Sequence, residues 1–141
     1  MASQHLSIRL PKETFDRLDA HSQRSSRSRS ETAKTLIEEG LRMSDHPGIV
    51  FRPGPTGRRA ALAVGPDVWE VVRAIQQIEG HTASPVDFLA GQIDLSAHQI
   101  RVALRYYEAF PEEIDRRIAL DAEVSAEMEA DWRREQTLIH R

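Results

Sequence analysis

The sequence predicts a mainly α-helical protein with a short N-terminal β-strand, followed by a small helical domain that contains a β-hairpin. Apolar residues recur at helical spacing through most of the chain, residues 5–10 alternate polar and apolar side chains, and two apolar runs flank the Gly/Pro segment 53–57. The 141 residues suffice for one ordinary domain or two small ones. A composition with 40% hydrophobic and 29% charged residues is typical of globular proteins.

Composition excludes several functional classes. The chain has no Cys, so disulfides, thiol catalysis and Cys-based metal sites are excluded, and its six His include no pair at the i,i+4 spacing of metal ligands. Paired carboxylates in an apolar setting are also missing, so we expect a protein that is not an enzyme and needs no cofactor. The first five residues lack signal-peptide features, and no stretch approaches the ~20 apolar residues of a membrane span. A cytoplasmic protein without a membrane partner is therefore expected.

Charge is distributed unevenly along the chain. Residues 1–45 carry eight Lys/Arg against seven Asp/Glu, residues 46–110 carry six of each, and residues 111–141 carry five against nine. Within residues 5–34 the excess is basic, seven against four. The basic N-terminal region indicates an anionic partner, and the acidic C-terminal region indicates a different partner.

The first 45 residues are expected to form a strand and two helices. In the strand, Leu6, Ile8 and Leu10 share one face while the polar residues between them share the other. Pro11 ends the strand, and a helix begins near Lys12. After the polar run 23–30, a second helix is capped by Ser28 or Ser30. The side chains expected inward are Phe15, Leu18 and either Ala20 or His21 on the first helix, and Ala33, Leu36, Ile37 and Leu41 on the second.

Residues 44–48 contain breakers and mark a domain boundary, which gives domains over 1–45 and 46–110 and a helical tail over 111–141. The second domain begins with strands near 49–51 and 60–64, and three helices follow, opened by Asp67, Ser84 and Ser96. The expected inward residues are Val68, Val71, Val72 and Ile75 on the first of these helices and Ile100, Ala103, Leu104 and Tyr107 on the third, and the short second helix runs through Phe88 and Leu89. Pro111 starts the final helix, whose apolar residues are the sparse set Ile114, Ile118, Val124, Met128 and Trp132.

A strand and two helices in about 45 residues cannot bury enough surface to fold alone, and a lone strand leaves its backbone groups unpaired. Both problems disappear if two copies pair their strands antiparallel and share one core. Such pairing would direct Leu6, Ile8 and Leu10 inward and present the other face of the ribbon to solvent. A two-stranded ribbon fits the major groove of DNA, where side chains can contact base edges.

The segment Leu6-Ser7-Ile8-Arg9-Leu10-Pro11, the helix after it, and Ser28-Arg29-Ser30-Glu31 at the start of the second helix resemble the ribbon-helix-helix family of bacterial repressors and antitoxins, the Arc, MetJ and CopG relatives. The resemblance covers about residues 4–43. It implies a homodimer, or a higher oligomer, that contacts bases of double-stranded operator DNA through His5, Ser7 and Arg9. It also implies a phosphate clamp at Ser28, Arg29 and Ser30, a position where free N–H groups attract phosphate. The family often has Gly in the inter-helix turn, where this chain has Ser26.

The second domain resembles a small helix-turn-helix-like domain of VapB-type antitoxins, on the segments His46-Pro47-Gly48-Ile49, residues 66–72 and residues 95–107. Val50-Phe51-Arg52-Pro53 departs from the usual Gly-rich start of the hairpin. The resemblance implies a type II antitoxin that represses its own operon and neutralises a ribonuclease toxin, usually a PIN-domain protein. The alternative is a free-standing ribbon-helix-helix repressor whose second domain senses a ligand or mediates tetramers.

Three other features of the second domain have two interpretations each. His98, Gln99, Arg101 and Arg105 lie opposite the apolar stripe of their helix, and we favour a solvated face over a second DNA-binding surface because the domain is electrically neutral. Residues 54–59 lack the Gly-Lys-Ser/Thr ending of a phosphate loop and are expected to form a turn with two exposed arginines. Trp69 is expected in the core or a dimer contact rather than under a cofactor.

Val124, Met128 and Trp132 follow one another at intervals of four residues and form a narrow apolar stripe on the acidic tail. The stripe is either an amphipathic helix that binds in a partner's groove or a surface that packs on its own domain or dimer mate. The antitoxin resemblance implies that the stripe, with Arg133 and Arg134, lies along the toxin, where an arginine could occupy the acidic metal site of a PIN-domain nuclease.

Overall fold

The computed structural model describes residues 2–141. Over this range the chain forms six helices and one two-stranded antiparallel sheet, so the expected mainly helical class with a β-hairpin is confirmed. The chain divides into two compact units, which we call the first unit, up to Arg42, and the second unit, Met43–Arg141. No helix within residues 2–141 is long and apolar enough to cross a membrane.

In the first unit, helix α1 spans Lys12–Ser25. Helix α2 spans Arg29–Asp45, and all of it up to Arg42 belongs to the first unit. Ser26 ends α1 with φ 54°, in the left-handed region. The N–H of Ser26 donates to the carbonyl of Gln23, and the N–H of Arg27 donates to the carbonyl of Ser22 at 3.1 Å. This is the hydrogen-bond pattern of a Schellman helix end. Ser26 therefore adopts the backbone conformation for which a Gly would usually be selected.

The expected N-terminal strand is not formed in the single chain. Residues 2–11 lie in no helix or strand, and the side chains of Leu6 and Ile8 are 70% and 60% exposed. A strand exists only when its N–H and C=O groups pair with a neighbour. Within the described residues the only strands pair with each other, so residues 5–10 have no intramolecular strand beside them.

The first unit has no apolar core of its own. Its buried side chains within the described range are Ser22, Thr32 and Glu39. The expected inward positions remain exposed at Phe15, Leu36, Ile37 and Leu41 and become only half-buried at Leu18, Ala20 and Ala33, whereas His21 is exposed. These positions are uncovered in the single chain because two helices and an extended segment provide no second layer to cover them, and their burial in a core shared by two copies stays a prediction.

The second unit opens with strand β1, Ile49–Arg52, paired with strand β2, Arg59–Leu62, in the register Ile49–Leu62 to Arg52–Arg59. Gly57 in the connecting turn has φ 114°, which favours glycine. The guanidinium of Arg52 donates to the carbonyls of Leu62 and Gly65, both at 2.9 Å. These bonds tie the hairpin to the loop that leads into the next helix.

Three helices complete the core of the second unit: α3, Val68–Ile78, α4, Pro85–Gln92, and α5, Ala97–Ala109. The starts of α3 and α5 are capped: the N–H of Asp67 donates to Glu70 at 2.9 Å, and the N–H of Gln99 donates to Ser96 Oγ at 3.1 Å. Ser84 precedes α4 without a side-chain cap, and Pro85 occupies its first turn. The fully buried side chains include Leu62, Val68, Val71, Val72, Ile100 and Tyr106.

The expected apolar stripe of α5 ends with Tyr107, but the inward tyrosine is its neighbour Tyr106. Tyr106 is fully buried, contacts the rings of His46 and Phe110, and donates to Glu113 at 2.7 Å. Tyr107 is half-buried and donates to Asp115 at 2.6 Å, a hydrogen bond that raises the pKa of Tyr107 above its usual value. Both phenols thus connect α5 to the start of the last helix.

Helix α6 spans Pro111–Ile139 and belongs to the second unit. Its first turns pack on the core through buried Ile114 and half-buried Ile118. Arg73 of α3 forms an ion pair with Asp121, which is itself half-buried. From residue 122 onward every residue of α6 except the half-buried Gln136 is exposed. The C-terminal half of this helix, about 27 Å at 1.5 Å per residue, therefore has no covering layer in its own unit.

Candidate nucleic-acid interface

His5, Ser7 and Arg9, the expected base-contacting residues, lie on the extended N-terminal segment. All three are exposed, and their side chains form no hydrogen bond or ion pair with any residue in the described part of the chain. Arg9 thus retains five donors with no competing carboxylate, which is the state required of a guanidinium that contacts guanine.

The start of α2 is organised by Ser28, which resolves the choice between two expected caps. The N–H of Glu31 donates to Ser28 Oγ at 3.1 Å, and the N–H of Thr32 donates to the carbonyl of Ser28 at 3.0 Å. The N–H groups of Arg29 and Ser30 have no acceptor among the described residues. Two open N–H groups and the positive end of the helix dipole suit an anion.

Arg29 has contacts within the first unit that the sequence did not reveal. Its Nε lies 3.3 Å from Asp19 Oδ1, and its guanidinium carbon lies 4.8 Å from the centroid of the Phe15 ring. Asp19 and Phe15 both belong to α1, so Arg29 fixes the start of α2 against α1. Its charge is partly balanced by this carboxylate, so Arg29 contributes less uncompensated positive charge at the start of α2 than an unpaired arginine would.

Two further arginines flank the inter-helix turn. Arg24 is exposed and has no ion-pair partner in the described chain, and Arg27 donates to Thr35 Oγ1 at 3.3 Å. Residues 24–34 contain four Lys/Arg and a single acidic residue, Glu31. The sequence of the polar run 23–30 already showed an excess of basic residues. It did not show that, within the described range, Arg24 and Arg27 lack a carboxylate partner whereas Arg29 has one.

The α5 face is less suited to DNA than its sequence suggested. Arg101, Arg105 and His98 are exposed, but Gln99 is half-buried. The Gln99 side chain accepts from the N–H of Ser96 at 2.9 Å and donates to the carbonyl of Val64 at 3.1 Å. Gln99 therefore has a structural role: it caps the start of α5 and connects this helix to the loop that contains Val64.

The stripe on α6 is exposed and longer than the sequence indicated. Met128 and Trp132 are 67% and 58% exposed. At 3.6 residues per turn, the stripe occupies about one third of the helix circumference. Its six members are Leu120, Val124, Met128, Trp132, Leu138 and Ile139. At the same 3.6 residues per turn, Asp131 and Glu135 lie on this face of α6, so the apolar stripe contains two acidic residues.

Arg133 and Arg134 form ion pairs inside α6, with Glu129 and Asp131 respectively. An arginine that enters an acidic site on a partner must first release its own carboxylate. These exposed i,i+3 and i,i+4 pairs contribute only about 0.3–0.5 kcal/mol each, so their release costs little.

No protein-family model, curated protein or solved structure matches the chain. Within residues 2–141, no group of three or more His, Asp or Glu side chains is placed to hold a metal ion. The candidate interface therefore rests on the local geometry of the first unit.

We predict that Ser28→Ala destabilises the first unit by about 1 kcal/mol, because the N–H of Glu31 loses its acceptor. Ser30→Ala, two residues later in the same helical turn, should change the stability by less than about 0.5 kcal/mol. Urea denaturation followed by circular dichroism measures both. Equal stabilities for the two variants would show that Ser28 is not the cap in solution.

Proposed function

We propose that the protein is a dimeric, DNA-binding antitoxin that represses its own operon and neutralises a ribonuclease toxin. The observation that carries the proposal is the first unit, which has two well-formed helices but no buried apolar side chain among its described residues. Apolar burial is the main force that stabilises folded chains, at about 25 cal/mol per Å². A unit that leaves this surface uncovered requires a partner.

A second copy is the partner whose geometry fits best. Residues 5–10 of two chains can pair antiparallel, which satisfies their backbone groups and places Leu6, Ile8 and Leu10 over the exposed apolar faces of α1 and α2. The same pairing presents His5, Ser7 and Arg9 twice on the outer face. A ribbon of this kind fits the major groove of an operator with two-fold symmetry.

The open N–H groups at the start of α2 complete the proposed DNA contacts. Each copy would hold one phosphate beside the groove through Arg29, Ser30 and the helix dipole, which fixes the ribbon without adding sequence preference. Arg24 and Arg27 add positive charge around this point. Affinity for operator DNA should consequently fall steeply as salt increases.

The proposed toxin-binding segment is the exposed stripe of α6. Val124, Met128 and Trp132 with Arg133 and Arg134 lie on a helix that continues beyond the core of its own unit. An amphipathic helix of this kind can lie in an apolar groove of a partner. If a nuclease toxin binds this stripe, the same chain both neutralises the toxin and binds DNA.

The alternative is a repressor with no toxin partner, in which the second unit senses a small molecule. A cavity between the hairpin and α6 favours this alternative. Both functions share the DNA-binding dimer and differ only in what the second unit binds.

The dimer is tested by Ile8→Ala, which removes apolar surface from the proposed ribbon in both copies at once. We expect the dimer dissociation constant to rise by at least about 10-fold, with loss of helicity at low concentration. Ser7→Ala, on the opposite face of the same ribbon, should leave the dissociation constant unchanged within about 2-fold. Sedimentation equilibrium measures both, and a wild-type chain that is monomeric at tens of micromolar would contradict the proposal.

DNA recognition is tested by Arg9→Ala. Preference for the operator over scrambled DNA should fall by about 30-fold or more, since the dimer loses two bidentate contacts with guanine, each worth about 1–3 kcal/mol. The dimer should remain folded. Arg133→Ala serves as the control because it removes an exposed arginine from α6. Footprinting or fluorescence anisotropy gives the ratio, and an unchanged ratio for Arg9→Ala would refute the assignment.

Co-expression of the native operon separates the two functions. An antitoxin should co-purify with a nuclease encoded beside it, and Trp132→Ala should weaken that complex by about 10-fold or more, as expected for a central aromatic anchor. Val64→Ala, which truncates an exposed apolar side chain of the second unit outside α6, is the matched control. A chain that purifies alone from its native operon, with operator binding intact, would instead support the free-standing repressor.

A further inference from the structure

The second unit contains a cavity of about 270 Å³ between the hairpin and the first turns of α6. Four arginines line it: Arg58 and Arg59 from the hairpin, and Arg116 and Arg117 from α6. Ala60, Trp69, Ile114 and Leu120 supply an apolar part of the wall. None of the residues that line it belongs to the N-terminal segment or to α2, and the proposed DNA contacts do not use them.

The charges around the cavity do not cancel. Arg59 Nε lies 2.6 Å from Asp67 Oδ2, an ion-pair contact without hydrogen-bond geometry, and Glu113 accepts from Tyr106. Four guanidinium groups thus stand against two carboxylates, which leaves a net charge of +2 beside the cavity. Arg116 is exposed and has no carboxylate partner among the described residues.

Arg117 is held in place by a hydrogen bond and a ring contact, and its buried Nε has no acceptor among the described residues. Its Nη1 donates to Thr56 Oγ1 at 2.7 Å, and its guanidinium carbon lies 5.1 Å from the centroid of the Trp69 ring. Its Nε is buried and has no hydrogen-bond partner in the part of the chain that is described. A buried N–H of a charged group is costly when it is left unpaired. An anion bound in the cavity would offset part of this cost because it attracts the positive charge of the guanidinium.

The hairpin turn is shaped around Arg59. A Cβ at Gly54 would lie 2.9 Å from the Arg59 guanidinium carbon and closer still to Arg59 Nη1, so any other residue would displace this side chain. The glycine thereby allows the turn to close over an arginine that lines the cavity.

We propose that this cavity binds a small phosphate monoester with an apolar or planar body, of about nucleoside-monophosphate size. A phosphate monoester carries about −1.5 to −2 charge at pH 7, which matches the local excess, whereas a single carboxylate would leave half of it uncompensated. Guanidinium forks match phosphate oxygens in geometry. The volume of about 270 Å³ lies just below the usual range of ligand pockets, about 300–1,000 Å³, and therefore suits a small ligand.

Isothermal titration calorimetry on the full chain, with AMP, inorganic phosphate, adenosine and duplex DNA as probes, tests this proposal. We expect AMP to bind with one-to-one stoichiometry per chain, inorganic phosphate to compete with it, and adenosine to bind at least about 100-fold more weakly. Equal affinities for AMP and adenosine, or no binding of AMP and phosphate at millimolar concentration, would overturn the proposal. Displacement of AMP by duplex DNA would also overturn it, because the arginines would then belong to a DNA surface.

Arg117→Met retains an apolar stem against Trp69 and should weaken AMP binding by at least about 10-fold. Arg116→Met removes an exposed guanidinium from the same wall, so it tests the site without disturbing the Trp69 contact, and we expect a loss of about 3-fold or more. Arg133→Met is the matched control on the distant part of α6 and should bind AMP like the wild type. Losses of equal size in the control and the two cavity variants would contradict the assignment.

Discussion

The uncovered apolar surface of the first unit is the constraint on which the proposed function depends. α1 and α2 form a turn closed by Ser26 and braced by Arg29 against Asp19 and Phe15, so the helices are locally well specified. The same helices leave Phe15, Leu36 and Leu41 exposed. Helices that are well defined by local contacts but leave their apolar side chains exposed are typical of chains that complete their core by association. In such chains, folding and dimerisation form a single equilibrium.

The second unit completes its core without a partner. Tyr106 packs among His46, Phe51 and Phe110, and its hydroxyl reaches Glu113, so one side chain connects the hairpin, α5 and α6. α6 then continues well beyond this core as an exposed helix. The chain thus combines a unit whose apolar faces are uncovered with a unit that has its own core and an exposed helix, an arrangement that suits the two kinds of partner proposed above.

Much of the second unit could be predicted from local signals: the caps at Asp67 and Ser96, the glycine turn of the hairpin, and the apolar spacing of α3. Periodicity could not choose between the adjacent Tyr106 and Tyr107, because neighbouring helical residues differ by only 100° and tertiary packing decides which is buried. The cavity was missed because it joins residues about sixty positions apart, such as Thr56 and Arg117. Sequence patterns within one element carry no signal for such a pairing.

Residue-resolved hydrogen exchange of the N-terminal segment tests the central claim most directly. If two chains share a ribbon, alternate amides of residues 5–10 should be protected, and their exchange should quicken as dilution dissociates the dimer, because opening the ribbon requires dissociation. Residues 2–4, which precede the ribbon, should exchange freely at every concentration. Exchange of residues 5–10 at the rate of an unstructured peptide, at concentrations where DNA binding occurs, would contradict the account.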